Sequence, residues 1–422
     1  MPPIQKDMTM RSVLFVLGWL LGAASVSIQA ADWPQVLGPQ RNGMADPSEK
    51  IASSWKGPLK SPWSRPVGSG FAGIAVSQGR AVLFHRVNDE EVIECLDALT
   101  GKPLWKDSHP TAFRPQYGSE NGPLCTPTIS QGKVLTFGAE GVLTCHDLMS
   151  GKQDWTRATH TDFGAETGYF GAGSAPLVVA DRVVVNVGGK RQNAGVVAFH
   201  LKDGATLWQK VADDASYSSP VLMDVEGIPI AIIITRLKCV GIEVTKGSPI
   251  FEVPFGARGP TVNGASPVIQ GKQIFLTSSY GVGALSGHLE FPTFVTDYAK
   301  EEIFASQYAT PILLGGLFYG IDGRDDTGPA DLKCFDPKTK QLKWTEQNFG
   351  YGTQILVDGK LLLLKTNGEL VLVEPNAEGY TELAREQVLT GVTRALPALS
   401  NGLLYVRDAT TLKCLDLRAA KP

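Results

Sequence analysis

The chain is short of several things, and each shortage excludes a class of protein. It has no basic run, and 39 Lys and Arg stand against 42 Asp and Glu for a formal net charge of −3. That removes the positive footprint with which nucleic-acid binders hold phosphate. Beyond residue 30 no apolar stretch reaches the length of a spanning helix. Long amphipathic helix patterns are also missing, which points away from helical folds. The six histidines, His85, His109, His146, His160, His200 and His288, include no close pair such as His-x-x-x-His, so two imidazoles on one helix face are not available to a metal.

What the chain does have is a repeat. Asp97-Ala-Leu-Thr-Gly101-Lys-Pro-Leu-Trp105 returns as Asp147–Gly151–Trp155 and His200–Gly204–Trp208. Glu243–Gly247–Phe251 is a weaker copy, and Asp336–Lys340–Trp344 keeps the outer spacing without the glycine. The phrase recurs about once every 45 residues, a period that means stacked supersecondary units. Small-residue and proline lead-ins precede the copies: Cys125-Thr-Pro127, Ser174-Ala-Pro176, Ser218-Ser-Pro220, Ala265-Ser-Pro267, Ala309-Thr-Pro311 and Ala395-Leu-Pro397. Between lead-in and Trp lie short β-branched runs joined by Gly turns such as Gln131-Gly-Lys133 and Asp358-Gly-Lys360. Four such runs read as four antiparallel strands, one propeller blade.

Each position has a physical reason. Proline cannot donate to a β ladder, so it survives at a strand start or an edge, and the innermost strand of a blade is an edge. Asp accepts backbone N–H groups at a turn, and Gly supplies a positive φ. A Trp on the outermost strand fills the wedge between blades, burying roughly 200 Å². Trp63, Trp105, Trp155, Trp208, Phe251 and Trp344 are the expected docking side chains. Blades starting near Gly70, Cys125, Ser174, Ser218, Ala265, Ala309, Gly352 and Ala395 predict an all-β, eight-bladed propeller of four-stranded antiparallel blades. The last unit stops at Pro422 before its Trp position, and Ser61-Pro-Trp63-Ser-Arg65 is an orphan strand ahead of the first blade. The N-terminal strand is therefore expected to complete the last blade, removing an open edge.

Four segments follow: a secretory signal over 1–30, an extended segment over 31–59, the propeller over 60–418 and a tail over 419–422. Lys6 and Arg11 precede an apolar stretch that ends in Ser27-Ile-Gln-Ala30, the three parts of a signal with cleavage after Ala30. An uncleaved anchor is the alternative; the short apolar stretch favours removal, and no Cys follows the cleavage site to carry lipid. The expected location is the periplasm or cell envelope. Cys95, Cys145, Cys239, Cys334 and Cys414 fall at one place in five blades, so bridges between them are not expected, and Cys125, out of register, is expected to be free as well.

The Asp97–Trp105 unit resembles the tryptophan-docking motif of the PQQ-like repeat, and the chain over roughly 60–418 is similar to the quinoprotein alcohol dehydrogenase-like propellers. Trp33-Pro-Gln35, Gly38-Pro-x-Arg41-Asn-Gly43, Gly138-Ala-Glu-Gly141, Tyr217-Ser-Ser-Pro220 and Tyr319-Gly-Ile-Asp-Gly323 resemble phrases of exported, planctomycete-type members; Leu37 departs from the Arg found more often before that Gly-Pro. The resemblance implies either of two roles, since these propellers host unrelated functions. Its enzymes hold PQQ on the axis between a Trp and an adjacent-cysteine disulfide, with Ca²⁺ held by Glu, Asn and Asp and a further Asp as base. This chain has no Cys-Cys pair, no Cys-x-x-Cys-His and no Trp in a lead-in strand. The expected reading is a non-catalytic interaction or envelope scaffold, monomeric and without a resident cofactor, whose partner is another protein or an envelope component. The alternative is a quinoprotein-type oxidoreductase with PQQ and Ca²⁺ in a degenerate site.

Tyr117, Glu120, Asn121, Tyr169, Tyr217, Asn263, Tyr308 and Tyr351 stand just before or within lead-in strands and are the candidates for contact at the channel mouth; each could equally pack a blade or loop. Asp322-Gly-Arg-Asp-Asp326 is acidic enough for a cation loop but lacks EF-hand spacing, and reads as a solvated turn. Asp162-Phe-Gly164 has no kinase context, and Gly164-Ala-Glu-Thr-Gly168 precedes no helix that could cradle phosphate.

Overall fold

A computed structural model describes residues 1, 31–118 and 120–419. The expected signal, apart from Met1, and the last three residues of the tail lie outside the described residues. Among those described, the strands form eight four-stranded antiparallel sheets. Innermost strands of neighbouring sheets touch, closing a ring. The only α-helix among the described residues is the five-residue Thr159–Phe163, so Asp162-Phe-Gly164 lies at a helix end.

Blades 1 to 8 take their innermost strands from 75–77, 128–130, 177–179, 221–225, 268–270, 312–314, 352–357 and 398–400. Pro127, Pro176, Pro220, Pro267, Pro311 and Pro397 each stand one residue before such a strand, where no ladder bond is lost. The hub is stitched by hydroxyls. Thr126 Oγ1 accepts from Gly73 N at 3.2 Å, Ser219 Oγ from Ala175 N at 2.9 Å, and Thr310 Oγ1 from Ser266 N at 2.9 Å.

The orphan strand Lys60–Pro66 does join the last blade. It pairs with Thr411–Asp416, with Trp63 opposite Cys414, in the order 60–66, 411–416, 403–407, 398–400. Its indole then docks on blade 1. A Cβ on Gly101, at φ +67°, would lie 2.6 Å from the Trp63 ring, and Trp63 Nε1 donates to Ala98 O at 3.0 Å. Gly151, Gly204 and Gly247 bear the same relation to Trp105, Trp155 and Trp208. Those indoles donate to Leu148 O, Leu201 O and Val244 O at 2.8–2.9 Å. Only glycine allows both the left-handed backbone and the flat ring against it.

Two sequence expectations need correction. Cys95, Cys145, Cys334 and Cys414 each pair with a docking Trp, but Cys239 pairs with Val253 and lies two residues out of register. The missing signal was its distance to the turn acid, four residues to Glu243 against two to Asp97. All six cysteines are free and buried. The Asp322–Asp326 turn is solvated only in part: Asp326 is exposed, whereas Asp325 is only 10% exposed, held by Arg394 Nε at 2.6 Å and Thr366 Oγ1 at 2.9 Å.

Residues 31–59 belong to the ring rather than trailing from it. Trp33 bridges to Val76 in blade 1, and Pro34 O accepts from Ile129 N in blade 2. Arg41 reaches blades 2, 3 and 4, Gly43 and Ala45 bond Leu356 in blade 7, and the Glu49 carboxylate caps Asn401 N and Gly402 N in blade 8. Residues 33–45 thus form a hoop along the inner strands, and from Glu49 the segment runs outward to Leu417 O and the Glu386 carboxylate in blades 8 and 7.

Candidate functional site

A strand that leaves the hub alternates direction, so the ring has two dissimilar faces. The Asp-x-x-x-Gly turns and the hairpins that follow the innermost strands lie on one. The links between blades and the second hairpin of each blade lie on the other, the lead-in face. All eight candidate residues belong to this second face or the strands just below it.

Three of them come together. The Tyr117 and Tyr169 rings are 5.6 Å apart, Phe170 is 6.3 Å from Tyr117, and Phe170 lies 5.7 Å from Tyr217. Gln116 N donates to Tyr169 O at 3.0 Å, which joins the two links that carry this row. The Arg236 guanidinium lies 5.8 Å from the Tyr169 ring and donates to Thr261 O at 2.9 Å. Tyr217 Oη accepts from Phe170 N at 3.2 Å, and burial pushes its phenol up to about 12. Tyr117 is 51% exposed. The result is a surface row of aromatic rings flanked by an arginine, residue types concentrated in binding hot spots.

Glu120 and Asn121 fix the link beside that row. Glu120 Oε1 accepts from Gly122 N, Asn121 Oδ1 accepts from Ser69 Oγ, and the Arg86 guanidinium gathers Phe113 O and Asn121 O. Asn263 is 1% exposed, bonded to Arg236 O and Ser278 Oγ. Tyr351 is 4% exposed, and its hydroxyl accepts from Tyr308 N at 2.7 Å and Ala309 N at 3.0 Å. Tyr308 packs on Tyr351 at 4.6 Å. These three belong to a second, tighter arc, where Arg324 stacks on Tyr280 at 4.1 Å and Arg394 on Phe71 at 5.3 Å.

Sequence reasoning missed Arg236, Phe170, Arg324 and Arg394, because each acquires meaning only from a ring supplied by another blade. It also missed Arg41. That side chain is 2% exposed. Its five N–H groups meet Gln35 Oε1, Ala175 O, Pro220 O, Thr128 Oγ1 and Pro176 O. Burial without a carboxylate pulls its pKa down to about 9. The phrase Gly38-Pro-x-Arg41-Asn-Gly43 was the available signal. Beside the hoop a cavity of about 400 Å³ remains, lined by Arg41, Gln40, Leu177, Leu222, Pro267 and Ile269 among others.

The axial residues do not fit a metal-bound quinone. The channel wall is taken up by the hoop, and the innermost strands present small hydroxyls. Asp325 and Asp326 are paired with Arg394 and Arg324. Burial holds the Cys125 thiol up at about 12, far from a thiolate. No group of three His, Cys, Asp or Glu poised for a metal occurs among the described residues.

Fold and site together define a closed propeller of the quinoprotein-like class with a hooped channel and an aromatic–arginine face. The family model described as outer membrane protein assembly factor BamB matches residues 88–346, and the chain belongs to that PQQ-like repeat family. The outer membrane protein assembly factor BamB of Burkholderia pseudomallei (strain K96243) is 24% identical over 266 residues, 52% of this chain and 66% of that protein. The chain thus matches just under two thirds of that relative's length. The crystal structure of BamB from Moraxella catarrhalis shares the fold at a TM-score of 0.61 and 14% identity, covering 87% of this chain and all of that one. A quinohemoprotein alcohol dehydrogenase from Comamonas testosteroni does so at 0.64 and 13%, covering 93% and 81%.

Proposed function

We propose that the chain is an exported, non-catalytic propeller that works as a protein-interaction module of the cell envelope. Its partner, a protein or a protein part of an envelope assembly, seats on the lead-in face across Tyr117, Tyr169, Tyr217 and Arg236. The observation that carries this reading is the row of rings, Tyr117 exposed and Tyr169, Phe170 and Tyr217 half-buried, next to an arginine. Family membership supports it, since the matching model and a relative bear the name of an assembly factor. The charged-then-apolar leader supports export, with a mature chain beginning at Ala31, and no described helix is long and apolar enough to cross a membrane. A monomer is expected because the ring closes on itself, the N-terminal strand completing the last blade.

The test is capture from envelope extracts by the full chain and by a Tyr117→Ala/Arg236→Ala variant. Reproducible capture by the first and at least a tenfold loss in the second is expected; equal capture by both, or none by either, would sink the reading. The oxidoreductase alternative is separated by adding PQQ and Ca²⁺. A quinone absorbance shift together with alcohol-dependent dye reduction would reinstate it.

A further inference from the structure

Blade 5 departs from the repeat, and the departure leaves an opening on the turn face, opposite the proposed partner surface. In blades 8, 1, 2, 3 and 6 the residue at the docking position is Trp63, Trp105, Trp155, Trp208 and Trp344. Every one of these indoles donates Nε1–H to a turn carbonyl of the next blade. In blade 5 that position is Tyr298, which pairs with Ser286 as Trp105 pairs with Cys95. The facing turn of blade 6 has Lys340, at φ +60°, where blades 1 to 4 have Gly101, Gly151, Gly204 and Gly247. Lys340 Nζ lies 5.7 Å from the Tyr298 ring and is held by Glu301 at 2.9 Å.

The smaller ring does not fill the wedge. A cavity of about 370 Å³ lies between blades 5 and 6. Phe275 and Phe318, 4.5 Å apart, line it together with Val268, Ile274 and Leu313. Tyr298, Asp297, Gln270 and Lys338 supply its polar rim. The Tyr298 hydroxyl faces Ser286, yet its buried oxygen makes no hydrogen bond of good geometry among the described residues. A buried polar atom left this way is costly unless something supplies a partner.

We propose that this cleft is a binding site for an indole side chain presented by an extended segment of a protein partner. The molecule itself shows what such a wedge holds: a flat ring of this size with one N–H donor, seen at five other junctions. An indole here would stack on Phe275 and Phe318 and offer its N–H to the Tyr298 oxygen or to Asp297. The carboxylate of Asp297 is shared with His288 Nδ1 at 3.0 Å, so it accepts without being an isolated charge. The site is independent of the lead-in face, and its failure would leave that reading untouched.

The test uses the full chain, with N-acetyltryptophanamide and a blocked Gly-Ser-Trp-Ser-Gly peptide as probes, followed by calorimetry and ligand-observed NMR. Saturable binding of both is expected, with the peptide tighter and its Trp→Ala version at least tenfold weaker. Tyr298→Trp, which fills the wedge from within, should lose both by tenfold or more; Leu313→Trp does the same from the other wall if the first variant fails to fold. Tyr117→Ala should bind both probes as the parent does. Absence of saturable binding, unchanged binding by the filled variants, or binding of the free amide with exclusion of the peptide would each overturn the proposal.

Discussion

Blades 2 and 5 have the same four strands and opposite finish. Blade 2 runs through Asp147, Gly151 and Trp155 and is closed at every point. Asp147 accepts from Ser150 N and Oγ, which holds its carboxyl down at about 2. Trp155 is 8% exposed and bonded to Leu201 O. Blade 5 replaces the turn with a longer hairpin, 283–290 to 293–301, and the Trp with Tyr298. Phe251 of blade 4 then meets Phe294 at 4.9 Å instead of a turn glycine. A lapse in the repeat thus has two outcomes: at Phe251 another ring fills the wedge, and at Tyr298 a cavity remains.

The comparison can be broken most severely by removing a strand altogether. Deletion of 58–66 strips blade 8 of its outer strand and blade 1 of the Trp63 dock, and should abolish cooperative unfolding, read by calorimetry; a nearly unchanged Tm would refute the closure. Next in size, Trp155→Ala should cost about 4 kcal/mol in denaturant titration, as large-to-small core changes do. Tyr298→Ala, taken from an already open wedge, should cost about half of that or less. Equal costs would erase the distinction between the two blades.

Acid offers a third way in. His160, in the helix after blade 2, packs on Phe137 at 6.0 Å, and burial pulls its pKa down to about 4. The unfolded chain protonates this ring near the usual 6.5, the folded chain only near 4, so stability present above 6.5 is lost as pH falls through that window. The loss amounts to roughly 3 kcal/mol, at about 1.4 kcal/mol per pKa unit. His160→Phe should flatten the stability profile there. His85 adds to the slope over the same window and on down to about pH 3, because burial, then Arg407, Arg65 and Lys106, pull it to about 3. The smallest expected effect sharpens the comparison from the other side: Tyr298→Trp with Lys340→Gly restores the repeat in the blade 5–6 junction and should raise stability by about 1 kcal/mol.

Much of the ring was legible because its determinants are local. Asp97, Gly101 and Trp105 each act through the backbone within a few residues, and the same spacing repeats. The orphan Trp63 strand was legible by subtraction, since a ring of complete blades needs one. The site was legible only in part. Tyr117, Tyr169 and Tyr217 were visible as aromatics ahead of lead-in strands, but nothing local marked Asn263 and Tyr351 as occupied by internal bonds. Cys239 was misplaced because a two-residue shift keeps a side chain on the same face of a strand.

The sequence alone determined the blade, the number of blades and the way the ends meet, because hydrogen-bond geometry, glycine's left-handed backbone and proline's missing donor operate at short range. Tertiary structure alone decided which arginines lie on which rings, that Arg41 and its hoop line the channel, and that the wedge beside Tyr298 stays open. Those outcomes depend on distances between residues far apart in the chain, fixed only once the ring has closed.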